Sequence, residues 1–165
     1  MYKSYLPAYS RGKWVVKNHD NEGCLFCRIA KGDKKVPKRV LYKDEKVMVI
    51  MNLFPYNVGH LQVIPIRHVV NIESLKEDEF IKLFSMVKKT VKLLKKVLNP
   101  DGINIGINMG GEPSGASIKH LHIHIVPRYK RDAGFMEIIA NTKVVPISLD
   151  ETYKKLKKEV KILKE

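Results

Sequence analysis

Five of the six histidines fall in three places: His60, His68 and the run His120-Leu121-His122-Ile123-His124. In a strand, residues two apart share one face. His120, His122 and His124 then form a row, with Leu121, Ile123 and Ile125 anchored behind it. Three imidazoles on one face are costly to bury without polar partners, so the pattern points to chemistry. One chemistry is a metal site, with zinc on the histidines and bound water as nucleophile. The other is nucleophilic attack by imidazole, which is mostly neutral at pH 7 with an unperturbed pKa of about 6.5. Gly110-Gly111-Glu112-Pro113-Ser114-Gly115-Ala116-Ser117 lies directly before the row. Backbone N–H groups of such a loop can cradle phosphate oxygens. Cys24-Leu25-Phe26-Cys27 is a Cys-x-x-Cys pair. It lacks the βαβ setting of a thioredoxin-like redox motif, and as a zinc site it needs two further ligands.

Several elements must position these groups. Val40–Tyr42, Val47–Met51, His60–Pro65, Ile103–Asn108 and the histidine run read as strands. Ser74 and Glu77 have capping-box spacing and open a helix over 74–98. Phe80, Phe84, Val87, Val91, Leu94 and Leu98 recur at helical spacing as its apolar stripe. Asn99-Pro100-Asp101-Gly102 stops it. A C-terminal helix carries Tyr153, Leu156, Val160 and Leu163 inward. The order predicts an α+β fold: an antiparallel sheet of about five strands with one long and one C-terminal helix.

The chain has 165 residues and 44% apolar content, enough for one domain with a real core. Residues 1–23 read as an arm with Tyr2, Tyr5, Tyr9 and Trp14, and 24–165 as the single domain. No apolar run is long enough for a membrane span, and the start lacks a secretory signal's apolar stretch. Two cysteines three positions apart argue against a disulfide-stapled secreted fold and for a reducing cytoplasm. The net charge of +14 favours anionic partners. The lysines are spread along the chain rather than clustered, so charge alone does not choose nucleic acid over a nucleotide.

Two segments resemble the histidine-triad nucleotide-binding superfamily. One is Gly115-Ala116-Ser117-Ile118-Lys119-His120-Leu121-His122-Ile123-His124-Ile125-Val126-Pro127-Arg128. The other runs from Asn52-Leu53-Phe54-Pro55-Tyr56-Asn57 to His68. Asp132-Ala133-Gly134-Phe135-Met136 adds a likeness to the branch of short diadenosine tetraphosphate phosphorylases and hydrolases. The resemblance implies a fold clipped at its N-terminal segment by zinc on Cys24, Cys27, His68 and His120. It implies transfer of a nucleoside monophosphate through a nucleotidyl-histidine on His122. His124 and His60 would hold phosphate oxygens or steer the leaving-group proton. Gly115 and Ser117 would contact phosphate, Asn52 the ribose, and Asn108 the nucleotide. Ala116 stands where many relatives carry Gln, which leans the second half-reaction toward phosphorolysis. Relatives are mostly homodimers, and the arm and long helix are candidate interface parts. The competing reading is a nucleotide- or nucleic-acid-binding module, or a remover of AMP from adenylated nucleic-acid ends, with little dinucleotide turnover.

Overall fold

The computed structural model describes residues 23–109, 114, 118–130, 132 and 147–165. The aromatic arm, Gly115, Ser117 and Ala133–Met136 lie outside the described residues. Five strands form one antiparallel sheet: β1 (Val40–Lys43), β2 (Val47–Met51), β3 (Leu61–Pro65), β4 (Gly102–Ile107) and β5 (Ile123–Arg128). Their order is β1-β2-β3-β5-β4, so β5 is inserted between β3 and β4. A short helix α1 (Leu25–Ala30) precedes the sheet, α2 (Glu77–Leu98) links β3 to β4, and α3 (Leu149–Lys158) follows. No helix of the described residues is long and apolar enough to cross a membrane.

The two faces of the sheet are covered differently. Val47, Val49, Met51, Leu61, Val63, Leu121, Ile123 and Ile125 pack with Leu83, Met86, Leu93 and Leu94 of α2. Met48, Ile50 and Ile64 pack with Phe26, Ile29 and Ala30 of α1. Every residue of β2 and β3 is therefore buried, which is why β2 reads as a continuous apolar run. Each such large side chain contributes roughly 1.5–3 kcal/mol over its exposed state. Gln62 of β3 pairs in register with His124 of β5, and both lie on the α1 face.

The long helix departs from expectation at its start and in its phase. Ser74 belongs to a 3-10 turn over Ile72–Ser74, and the helix begins at Glu77. Glu79 closes the first turn by accepting the Lys76 N–H at 2.9 Å. The same carboxylate takes both Arg67 N–H groups at 2.6–2.7 Å, so Glu79 rather than Glu77 fixes the start. The buried face is Leu83, Met86, Val87, Thr90, Leu93 and Leu94. Phe80 and Phe84 instead meet each other at 4.6 Å and stay partly exposed with Ile81. The stop holds: Asn99 adopts left-handed backbone at φ 44° and its N–H returns to Lys95. At the C-terminus, α3 is capped by Ser148 accepting from Glu151 N–H. The chain then tightens into a 3-10 turn over Val160–Leu163, which buries Ile162 and Leu163. Val160 lies at the edge of the core.

Gly59 joins the helix to the site. Its φ is +80°, and a Cβ there would collide with Leu98 Cδ1 and reach 3.2 Å from Pro127 Cγ. Glycine alone lets the chain turn under the end of α2 and deliver His60. Gly59→Ala is expected to cost about 1–3 kcal/mol, read as a lower urea midpoint. An unchanged midpoint would contradict this role.

Candidate functional site

Two neighbouring centres lie on the α1 face. The first is a row of rings. Phe26 meets His122 edge-on at 5.2 Å, and His122 meets His124 at 4.6 Å. His124 meets His60 at 5.1 Å, and His60 stacks on Tyr56 at 4.9 Å. Period-two alternation delivers His122 and His124 here, while Leu121, Ile123 and Ile125 fill the opposite core. β5 proper begins only at Ile123, and His120 leaves the ladder toward the cysteines.

Backbone partners fix where the protons sit. His122 Nδ1 lies 2.7 Å from the His120 carbonyl. A carbonyl only accepts, so Nδ1 is protonated and the lone pair of the neutral ring is on Nε2. The Tyr56 N–H donates to His60 Nδ1 at 3.1 Å, so His60 carries its proton on Nε2. That proton is donated to His124 Nδ1 at 2.9 Å, which leaves the proton of neutral His124 on Nε2. Burial lowers the His122 pKa, and its bond to the His120 carbonyl offsets this only in part. The His122 ring is therefore held uncharged with its lone pair on Nε2, and His124 Nε2–H is a donor beside it.

These rings border a cavity. Leu25, Phe26, Ile29, Ile50, Leu53 and Phe54 supply its apolar lining, and Asn52, Tyr56, Gln62, Lys38 and Arg39 its polar lining. Arg39 is paired with Asp150 at 2.7 Å, and Lys38 donates to the Asp33 carbonyl. Asn52 lines the cavity as expected, with its Oδ1 accepting the Phe54 N–H at 2.8 Å. Asn108 follows Ile107, which pairs with Ile123. It therefore lies level with His122 but outside the cavity lining. The expected phosphate contacts Gly115 and Ser117 fall outside the described residues.

The second centre is a donor cluster. Ligand atoms of Cys24, Cys27, His68 and His120 lie within 4.8 Å of one another. Sulfur-to-nitrogen separations are 3.2 Å (Cys24–His120), 3.4 Å (Cys27–His68) and 3.6 Å (Cys27–His120). A tetrahedral ion with bonds of about 2.3 Å to sulfur and about 2.0–2.1 Å to nitrogen would hold such atoms about 3.5 Å apart. The cluster therefore fits a four-coordinate metal. His120 Nε2–H donates to the Pro65 carbonyl at 2.9 Å, aiming the Nδ1 lone pair at the thiols, as an outer-shell partner does for a ligating histidine. Burial pushes His120 down to about 4, which keeps it a neutral donor. Burial, followed by the hydrogen bond with Cys24, pushes the Cys27 thiol up to about 11; coordination would reverse this. The three triad histidines do not converge on one point. The reading of a hydrolytic metal held by His120, His122 and His124 is therefore set aside.

Several residues here escape sequence reasoning. Phe26 spans both centres, meeting His120 at 5.7 Å as well as His122. Gln62 is buried on the same face beside His124. Asn57 is buried and fully used. Its Nδ2 donates to the Pro127 carbonyl and to Asp132, its Oδ1 accepts from Val58 N–H, and its carbonyl accepts from His60 N–H. Asn57 lies in the family-like motif and in the Pro55–Gly59 turn, neither of which distinguishes an exposed Asn from a buried one. Cys24→Ser is expected to lose most bound metal and to lower Tm. Elemental analysis showing unchanged metal would contradict the cluster's role.

Comparison with known proteins agrees with this arrangement. A family model described as the HIT domain matches residues 33–131. An AP-4-A phosphorylase of Mycobacterium tuberculosis is 39% identical over 120 residues, covering 73% of this chain and 62% of that protein. The chain thus spans less than two thirds of that relative. An uncharacterized HIT-like protein of Methanocaldococcus jannaschii is 38% identical over 134 residues, covering 81% of this chain and 98% of that one. The crystal structure of a Zn-bound histidine triad family protein from Mycobacterium smegmatis superposes with a TM-score of 0.70 at 27% identity, covering 86% and 96% of the two chains. With a family model spanning most of the described fold, this chain belongs to the HIT family.

Proposed function

We propose that the chain is a nucleotidyl hydrolase or transferase that cleaves at the α-phosphate of an adenine nucleotide, with diadenosine tetraphosphate or a similar molecule as substrate. The observation that carries this reading is the 2.7 Å bond from His122 Nδ1 to the His120 carbonyl. That bond presents Nε2 as a nucleophile without any base to activate it. The Nε2 lone pair attacks the α-phosphorus, a P–N bond forms, and the P–O bond to the leaving group breaks. The leaving phosphate departs as an anion whose oxygen accepts a hydrogen bond from His124 Nε2–H, and both rings keep their protons, His60 Nε2–H staying on His124 Nδ1. The His122 ring gains positive character while its Nδ1–H stays on the His120 carbonyl. Water or inorganic phosphate then attacks the same phosphorus and breaks the P–N bond. Catalysis of this kind rests on positioning and charge stabilisation.

The base occupies the apolar part of the cavity and Asn52 meets the ribose. Gly115 and Ser117 hold phosphate oxygens, with Asn108 as a further nucleotide contact. Phosphorolysis is favoured over hydrolysis by Ala116 and by likeness to a protein named as a phosphorylase. Cys24, Cys27, His68 and His120 hold a structural zinc ion, a closed site with no open position for substrate. Its thiols suit a reducing cytoplasm. The domain spans 24–165, preceded by an arm. The protein is a homodimer that uses the outer edge of β4, where Ile105 is 51% exposed. Light scattering should give a dimer mass that Ile105→Lys lowers; a monomeric wild type would refute this.

His122→Asn is expected to lower turnover of diadenosine tetraphosphate at least ~10³-fold. With phosphate present, wild type should release ADP; AMP regardless of phosphate would mean hydrolysis. Absence of turnover, together with salt-sensitive oligonucleotide binding, would favour the binding module. The depressed His122 pKa has a definite sign. The neutral nucleophile persists below pH 6.5, so the acid limb of kcat/KM should lie under 6.5. A limb above that value would contradict the assignment.

A further inference from the structure

Tyr56 is 46% exposed, yet it is held in place. Its N–H is bonded to His60 Nδ1, its ring lies 24° from parallel to the His60 ring, and it tilts against His124 at 5.8 Å. It ends the row of rings that starts at Phe26, and the two ends differ. At the Phe26 end the cavity has apolar walls, including Leu25 and Ile29. At the other end the same cavity is bordered by a fixed, partly exposed aromatic ring, beside the histidines that face the leaving group.

On the reading above, in which His122 attacks and His124 donates, the leaving group passes along His124 and His60 toward Tyr56. We infer that Tyr56 is a stacking platform for the second nucleobase of a dinucleoside polyphosphate. One ring face is stacked on His60 and the other is offered to the base, at low ordering cost because the backbone is already fixed. Every nucleobase has a π-face, so the platform accepts any second base. The site then selects dinucleoside polyphosphates over substrates whose leaving group has no ring.

The test compares kcat/KM for diadenosine tetraphosphate with that for adenosine 5′-phosphoramidate in wild type, Tyr56→Phe and Tyr56→Leu. In Tyr56→Leu the ratio of the two should fall roughly 5- to 150-fold, mostly through KM of the dinucleotide. Tyr56→Phe, which keeps the ring, should retain the ratio. Equal losses on both substrates would mean Tyr56 acts only through His60 and would overturn the inference, as would no change. A second readout is the relative Kd of diadenosine tetraphosphate and AMP in His122→Asn protein, with and without Tyr56→Leu. If wild type turns over neither substrate but Tyr56→Leu weakens only the dinucleotide, the catalytic reading fails and the platform stands. If the two ligands weaken alike, the platform fails whatever the turnover.

Discussion

His120 is the residue on which the rest of the site depends, because three of its groups are committed in three directions. Its Nε2–H is bonded to the Pro65 carbonyl, its Nδ1 faces the two thiols, and its carbonyl receives the His122 Nδ1–H. The first bond decides which nitrogen faces the cysteines. The last decides which nitrogen of His122 is left to react. The geometry of the Cys/His donor cluster and the tautomer of His122 are thus two consequences of the placement of one residue. Phe26, wedged against both rings, carries the same coupling through packing.

The sheet makes this placement affordable. One face is closed by α2 and carries most of the apolar burial. The other face is closed only in part, by a six-residue helix and its small core. There the chain buries four histidines and Gln62, with Asn57 buried in the turn that delivers His60. Buried polar groups are tolerated where they are hydrogen-bonded. His60 and Asn57 meet that condition through backbone groups of the same turn. The histidines can then remain uncharged and close together, as the proposed attack on a phosphoanhydride needs.

Much of this was legible in the sequence, for identifiable reasons. Period two along Leu121–Ile125 separates histidine face from apolar face, so the division of β5 could be read directly. The continuous run Val47–Met51 announced a strand covered on both sides. The helix stop at Asn99 followed from turn chemistry. What failed were matters of phase and partner. Phe80 and Phe84 match a helical period as well as Leu83 and Met86 do, and only the position of the sheet decides between them. Ser74 has capping-box spacing, but Arg67, 12 positions before Glu79 in sequence, draws Glu79 into the closing role. Six residues are too few to show a helical period, so α1 was missed. The pairing of Cys24 and Cys27 with His68 and His120 came from family resemblance, since contacts across 41 to 96 positions leave no local trace. Asn57 and Tyr56 lay within the quoted motif, but their burial and stacking depend on β5 and His60.

The most direct test of the central claim is the protonation pattern of the histidine rings in the resting, metal-loaded protein at pH 7. Two-bond nitrogen–proton correlation NMR reports it. The account predicts a neutral His122 with its proton on Nδ1, and neutral His60 and His124 with theirs on Nε2. A His122 protonated on Nε2, or charged at that pH, would contradict it.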